Sequence, residues 1–426
     1  MGVNIANFPR FWQYSQFFYA IQMVSKVIFL GLGLVLNRWL IQYLSTEEYA
    51  TYSVVNDSLV PLAFVFLGFS IPSLVQKYYT NNPIEHHREL LGKVWTTFLV
   101  FRLATYLFGV GGLTVLNTVF NFADLGILLL LYTAQFIVVL DWNYRSVCDA
   151  TGRAWQFMLG DVMAKLIIVS LAYGFVWMNV AVNLFQFGLI LIGGYLLSLL
   201  LDAWWQRLYT PWNRFDFSII RDNAKSIGIL SASNIITYFY LFSFQVNLTI
   251  MNASEQEIGT FSNAYNRLFL TFVSVPAVVM PTIATRLTHA LQNRDFDRAR
   301  RIGWGVAAFS VAYFIAYYFG VMVILNILDP EQSYPMTAEL VRVLAWGVLL
   351  YPTIHLLGPV FIFFHKEKYE LMVSMILAVI GMGIQYVTVP LWGIPGLIIG
   401  VVGITALDFF LKGILFGKIL RGFSTK

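Results

Sequence analysis

The chain has 426 residues, of which 58% are hydrophobic and only 12% are charged, and its mean hydropathy is +0.71. Soluble domains carry about a quarter charged residues, so this composition excludes a soluble globular protein and predicts a polytopic membrane protein. Lys and Arg exceed Asp and Glu to give a net charge of +5, and the pattern of loops described below assigns that excess to topology rather than to nucleic-acid binding.

In chain order, residues 1–15 place Phe8, Phe11, Trp12 and Tyr14 around Arg10, which predicts an N-terminal segment lying in the membrane interface. Apolar runs of about 20 residues, enough to cross a hydrocarbon core, follow at 16–43, 50–76, 94–116, 125–144, 157–177 and 180–201. The stretch 202–225 mixes Trp204, Trp205, Trp212, Phe215 and Phe217 with Arg207, Arg214, Arg221 and Lys225, and reads as a cytoplasmic connector. A second set of runs occupies 226–251, 259–285, 303–328, 340–364, 371–389 and 394–417, before a short tail, 418–426. The expected fold is all-α, with twelve transmembrane helices in two pseudo-symmetric lobes of six, 16–201 and 226–417.

The loops alternate in charge. Lys77, Arg88 and Lys93, then Arg145 and Arg153, the connector, Arg286 to Arg301, Lys366 and Lys368, and the tail fall on one side; Glu47, Glu48, Asp124, Glu255, Glu257, Asp329 and Glu331 fall on the other. Cations in short loops collect in the cytoplasm, so both termini are expected there. The first apolar run is too long for a signal-peptide core and lacks a small-residue cleavage site, and reads as a retained span. Cys148 is the only cysteine, which precludes a disulfide within the chain.

An internal echo supports two related halves. Laying 48–77 on 257–286 without a gap matches Glu48 with Glu257, Thr51 with Thr260, Ser53 with Ser262, Leu59 with Leu268 and Pro72 with Pro281, as parallel repeats require. Within the second copy, Thr260, Asn263, Arg267, Thr271 and Ser274 recur at steps of three and four and share one helical face. A charge such as Arg267 near a bilayer centre costs roughly 3 kcal/mol, so it needs a function or a partner. No carboxylate lies one turn away on the same helix.

The other intramembrane charges are Lys26 and Arg38 in span 1, Asp57 in span 2, Arg102 in span 3, Asp161 with Lys165 in span 5, and Asp408 with Lys412 in span 12. Asp57 and Arg38 lie at similar depths from the turn that joins their spans and are expected to pair; the other two carboxylates precede their lysines by four residues, the spacing of a local ion pair. Cations remain in surplus, which suits a cavity that receives an anionic substrate. Lys26 and Arg38 differ by about 120° around their helix and need not face one cavity. Arg267, Arg38, Lys26, Arg102, Asn263 and Thr271 are the candidate substrate contacts, and Asp57 and Asp408 are candidates for ion coupling or structural pairing.

Catalytic chemistry is not written in the chain. It has no phosphate-cradling G-x-x-x-x-G-K-[ST] stretch, no histidines at metal-ligand spacing and no nucleophile with a base. His355, between Pro352 and Pro359, is expected to pack against backbone. No enzyme activity, metal or cofactor is expected, and an ion gradient or the membrane potential is left as the motor.

Three motifs carry a family resemblance. NRWLIQYLSTEEYATYS at the first outer turn, EIGTFSNAYNRL at the start of span 8 and VTVPLWGIPGLIIG between spans 11 and 12 resemble the corresponding motifs of the multidrug/oligosaccharidyl-lipid/polysaccharide (MOP) flippase superfamily, and within it the Wzx-like O-antigen branch. Tyr265-Asn266-Arg267-Leu268 is similar to an A-D-R-L stretch of the lipid II flippase MurJ, whose arginine lines a central cavity. Ala50 and Gln245 depart from the pattern, Gln245 standing near where many members have an acidic residue. The resemblance implies a MATE/MurJ-like fold of two lobes around a cavity open alternately to either side. It further implies an undecaprenyl-pyrophosphate-linked oligosaccharide as substrate in the bacterial cytoplasmic (inner) membrane, contact with membrane lipids, and polysaccharide-assembly proteins such as a polymerase as partners. An exporter of another amphipathic anion or drug, and a glycan polymerase or glycosyltransferase, are the competing readings; the last would want a larger outer loop or a carboxylate pair.

Overall fold

The computed structural model describes residues 8–61, 87–120, 122–150, 154–206, 214–330, 333–334, 336–364 and 366–424. Every regular element among them is helical. In order they are α1 (Phe8–Tyr43), α2 (Thr46–Val54), α3 (His87–Phe120), α4 (Leu125–Ala150), α5 (Ala154–Trp177), α6 (Leu184–Gln206), α7 (Ser218–Ile250), α8 (Glu255–Phe261), α9 (Leu270–Gln292), α10 (Phe296–Leu328), α11 (Thr337–Phe363) and α12 (Glu367–Ser424). Alpha-helices satisfy their backbone polar groups internally, which is what a chain in hydrocarbon requires.

A helix runs through the expected spans, except for 62–76 of the second, which lies outside the described residues, and 180–183 of the sixth, which precede the helix that starts at Leu184. Six helices among the described residues are long and apolar enough to cross a membrane. Their outward faces are apolar too: Leu107, Phe108, Trp177, Trp304 and Phe319 are all exposed, as on a surface whose solvent is lipid. The chain is a multi-pass membrane protein. At the expected N-terminal boundary the helix is unbroken, since α1 begins at Phe8; Arg10 and Lys26 have side chains outside the described ones. Cys148 does as well.

Packing divides the chain into two compact units. One comprises Met1–Tyr43, Ser70–Val115 and Asp124–Ala224; the other comprises Leu44–Phe69, Leu116–Ala123 and Lys225–Lys426. The division does not follow the sequence midpoint, because α2 belongs with the second unit.

In the first unit, Trp39 of α1 is fully buried, donates from Nε1 to the Ala172 carbonyl of α5 at 3.1 Å and stacks on Phe187 of α6 at 5.1 Å. Small residues let α6 approach its neighbours: a Cβ at Gly188 would stand 2.3 Å from Leu130 of α4, and one at Gly194 2.3 Å from Ile168 of α5. Asp202, expected in the connector, is instead a buried residue of α6, its carboxylate against Gly160 of α5, where an added Cβ would lie 2.9 Å from both oxygens. The helix continues to Gln206, past the expected boundary, with Asp202 packed and Trp204 exposed in its last turns.

In the second unit, α11 is central: Met280, Ala284 and Leu287 of α9 pack against Leu356 and Val360 on one side, and Val373, Leu377 and Ile404 of α12 against Leu357 and Phe361 on the other. The long α12 is two helices joined at Gly393, whose φ of 59° and ψ of −141° belong to a region open essentially to glycine alone. The arms lie against each other: a Cβ at Gly396 would be 2.7 Å from the Thr388 carbonyl oxygen, and one at Gly400 2.7 Å from Ile384. Those contacts run in opposite directions from Gly393, as in a helical hairpin, and the turn falls between the expected spans 371–389 and 394–417.

Candidate functional site

The site is built on the repeat. Ser45 caps α2 and Ser254 caps α8, each with a reciprocal capping box. The Glu48 and Glu257 backbone N–H groups donate to the serine Oγ atoms at 3.1 and 3.3 Å, and their carboxylates accept from the backbone N–H of Ser45 and Ser254 at 3.1 and 2.8 Å. Such a box satisfies two orphan donors and fixes where the helix starts. The sequence match of Glu48 with Glu257 thus has a structural meaning.

After the caps, each copy departs from α geometry in the same way. Val55–Leu59 and Ser262–Phe269 are π-helical, with Val60 N–H donating to the Val55 carbonyl and Leu270 N–H to that of Tyr265. A π turn inserts an extra residue, re-aims the side chains that follow and is concentrated at functional sites. Asp57 lies on the first π turn and Arg267 on the second.

The two turns meet within the second unit. Arg267 Nη2 donates to Asp57 Oδ2 at 2.5 Å, and the two side chains are only 18% and 9% exposed. Ser262 Oγ donates to the same carboxylate oxygen at 3.3 Å and Asn56 Nδ2 to the other at 3.0 Å. The Arg267 guanidinium carbon stands 5.0 Å from the centroid of the Tyr52 ring, a cation–π contact. Around this centre, Tyr49 Oη donates to Asn263 Oδ1 at 2.7 Å and Ser58 Oγ to Gln245 Oε1 at 2.8 Å. Gly259 makes room for Tyr334, whose ring lies 5.2 Å from that of Tyr49.

One expectation is corrected here. Asp57 does not serve Arg38: its carboxylate is held by Arg267, Ser262 and Asn56, and Arg38 donates from Nε to Gln42 on its own helix at 3.4 Å. The depth argument assumed α geometry through 55–59, where the π turn changes the direction of Asp57. Arg267 also has a neutralising carboxylate, 210 positions away in the chain, which a search along its own helix could not find.

The polar stripe is partly spent internally. Thr260 Oγ1 donates to the Gln256 carbonyl at 2.8 Å and Ser274 Oγ to that of Thr271 at 2.7 Å, the back-bonding usual for hydroxyls inside helices. Thr271 is half-buried and Asn263 buried. Arg102 is 3% exposed within the first unit, with its carbonyl accepting from Thr105 Oγ1 at 2.9 Å. The structure therefore brings together Arg267, Asn263 and Asp57 within the second unit; Arg102 and Arg38 belong to the first.

The cluster is rich in donors. Arg267 Nε, Asn266 Nδ2 and Gln245 Nε2 are enclosed and find no acceptor among the described residues. A buried unpaired donor costs about 1–3 kcal/mol, so this arrangement favours an incoming group that supplies acceptor oxygens. Asn56, Tyr52 and Ser262 are members of the site that were not among the candidate contacts; Ser262 had entered only as the match of Ser53 in the repeat.

A second buried network belongs to α12. Lys412 Nζ is 3.4 Å from Asp408 Oδ1, the expected local pair, and donates to Glu370 Oε1 at 2.7 Å. Glu370 was not anticipated because the hairpin at Gly393 brings it in from the other arm. The ring of His355 of α11 lies 5.4 Å from that of Tyr351, tilted by 37°, and its Nε2 is enclosed and has no hydrogen-bond partner among the described residues. In the first unit, Lys165 Nζ lies 5.4 Å over the Phe29 ring.

No family model and no curated protein matches the chain at the level of sequence. Solved structures do. An inward-facing multidrug-resistance MATE family transporter of the MOP superfamily is similar with a TM-score of 0.75 at 13% identity, covering 96% of this chain and 99% of that one. A MOP superfamily transporter from Pyrococcus furiosus, described as having a binding pocket of reverse polarity, gives a TM-score of 0.69 at 14% identity, covering 95% and 94%. The lipid II flippase MurJ, in an inward closed conformation, gives 0.68 at 13% identity, covering 96% and 90%. The chain therefore has the fold shared by MATE transporters and the MurJ flippase of the MOP superfamily.

Proposed function

We propose that this protein is a flippase of the polysaccharide branch of that superfamily. It carries undecaprenyl-pyrophosphate-linked oligosaccharide repeat units, for O-antigen or a similar surface polysaccharide, from the inner to the outer leaflet of the bacterial cytoplasmic membrane. In this reading the chain crosses the membrane twelve times as two six-helix halves, 16–201 and 226–417, with both termini in the cytoplasm, and hands its cargo to assembly proteins such as a polymerase. The observation that carries the proposal is the Asp57–Arg267 pair on two π turns, beside donors that find no acceptor among the described residues.

A pyrophosphate cannot cross hydrocarbon without replacing its water and counterions. Arg267 supplies a planar fork that suits phosphate, and Asp57 occupies that fork in the absence of cargo. Substrate phosphate exchanges for the Asp57 carboxylate, one anion for another, so the arginine is not left bare in a low dielectric at either stage. Asn263, Asn266, Gln245 and Thr271 then offer amide and hydroxyl groups to sugar. Lys26, Arg38 and Arg102 are assigned to guiding the anion from elsewhere on its route.

The experiment is genetic and chemical. A deletion strain is expected to accumulate lipid-linked glycan in the inner leaflet, restored to export by the wild-type gene and not by Arg267→Ala present at equal abundance. Export of a drug or amphipathic anion with no accumulation of lipid-linked glycan would assign the chain to the MATE-like alternative.

A further inference from the structure

We infer that Tyr334 is a gate residue: its ring, delivered by the connection between α10 and α11, is wedged between α2 and α8 and closes the Asp57–Arg267 site on the side of the acidic loops, the outer side in the reading above. Its part in transport rests on that reading; the closure does not.

The wedge is held by its own backbone. Asp329, which caps the C-terminus of α10 and is buried, accepts from the Ser333 backbone N–H at 2.8 Å through Oδ1 and from that of Tyr334 at 3.0 Å through Oδ2. Thr337, in the first turn of α11, donates from Oγ1 to the Tyr334 carbonyl at 2.9 Å, and Gln256 of α8 donates from Nε2 to the Ser333 carbonyl at 3.5 Å. Hydrogen bonds to an ionised carboxylate are the strong kind, so the backbone that carries the ring is fixed between α10, α11 and α8. The ring itself enters a notch that glycine leaves in α8: a Cβ added at Gly259 would overlap it. On its other side stands Tyr49 of α2, with centroids 5.2 Å apart and planes tilted by 43°. Connections ordinarily run over the surface, yet Tyr334 is only 5% exposed.

Beneath the wedge lies the site. Tyr49, fully buried, donates from Oη to Asn263 Oδ1 at 2.7 Å, and Asn263 stands one turn before Arg267 on the second π turn. Tyr334, Tyr49, Asn263 and the ion pair belong to one compact unit, with about two helical turns between Gly259 and Arg267. The walls of the notch are the matching segments of the repeat, α2 and α8, each just past its capping box. A ring seated between the capped ends of two equivalent spans, and tethered to neither, blocks the approach of water to the ion pair from that end. Its removal uncovers the pair without deleting any group assigned to the cargo.

The single cysteine of the chain makes the test direct. In a Cys148→Ser background, Thr260→Cys places a thiol one residue beyond Gly259, on the face shared with Asn263 and Arg267; the native hydroxyl is buried and donates only to its own helix. A membrane-impermeant maleimide is applied to spheroplasts, which present the outer face, and to inverted vesicles, which present the cytoplasmic one. Tyr334→Ala is expected to raise labelling from outside by about tenfold or more, the scale on which loss of a buried aromatic contact shifts a local opening. Tyr334→Phe keeps the ring and should label as slowly as the parent. Gly259→Ala fills the seat without touching the loop, favours the helix, and should behave as Tyr334→Ala does. Labelling from the cytoplasmic face should not change, because general loosening raises both rates and a gate raises one. No cargo is present, so the outcome is independent of what the protein carries. The proposal is overturned if either alanine variant leaves the outside rate unmoved, if the phenylalanine variant labels as fast as the alanine ones, or if the rate rises equally from both faces or from the cytoplasmic face alone.

Discussion

Asp57 and Arg267, 210 positions apart in the chain, form a buried ion pair in which each residue is presented by a π turn that follows a capping box. A duplicated local device thus supplies the two halves of one interaction. Where the first copy has Ser58, the second, on the gapless alignment, has Arg267, and where the first has Asp57 the second has Asn266. The pair therefore joins non-equivalent positions of the repeat.

The pair is expected to be strongly non-additive. Removing one partner of a buried ion pair leaves an uncompensated charge and costs about 3–5 kcal/mol, so Asp57→Ala and Arg267→Ala should each lower the melting temperature in detergent. The double variant should be less destabilised than the two losses added together. An additive double-mutant cycle would remove the energetic basis of the pair.

Arg267→Lys separates charge from geometry. An ammonium retains the attraction to Asp57 but loses the planar fork and its bidentate hold on phosphate. The lysine variant should therefore recover most of the stability lost in Arg267→Ala and only part of the glycan export. Equal export by Lys and Arg variants would assign the residue to structure alone.

Gly393→Ala probes the α12 hairpin. Space around Gly393 is open, with no atom within 4 Å of an added Cβ, so the cost comes from its φ of 59° and ψ of −141°. Conformations of this kind cost of order 1–3 kcal/mol in a residue with a side chain. A thermal melt of the alanine variant should show a lowered midpoint, and an unchanged one would contradict the turn.

The two capping boxes should behave alike. Ser45→Ala and Ser254→Ala each remove an acceptor for an orphan N–H and are expected to cost about 0.5–2 kcal/mol. Gly at either position should cost less than Ala, and comparison of the two melts checks the order.

Asp216, outside the spans, provides a pH signature. Hydrogen bonds from Ser218 Oγ at 2.6 Å and Ser218 N–H at 3.0 Å hold its carboxyl below the ordinary value of 3.8. A depressed folded value stabilises the fold above the ordinary one, and that contribution is lost as pH falls through the lower folded value. Stability of the wild type should decline over that acidic interval more steeply than that of Asp216→Asn, by a small amount because the group is exposed. Parallel melting curves from neutral to acidic pH would contradict the assignment.

Sequence alone determined the membrane class, the placement of helices among the described residues, the match of the two capped segments that start at Glu48 and Glu257, and the Asp408–Lys412 pair, and it drew attention to Arg267. These follow from hydropathy, from loop charge and from spacings of three and four, all of which are local properties that survive without knowledge of the fold. Tertiary structure decided the partners. Asp57 goes to Arg267 rather than Arg38, and a depth count could not decide this because it fixes a residue's height and not the direction its side chain faces, which the π turns alter. Glu370 reaches Lys412 because the chain reverses at Gly393, and Asp202 is buried because Gly160 leaves its carboxylate room on a neighbouring helix. Contacts between residues remote in sequence depend on helix rotation and close approach, and a one-residue change in helical phase, about 100°, is enough to send a side chain to a different neighbour.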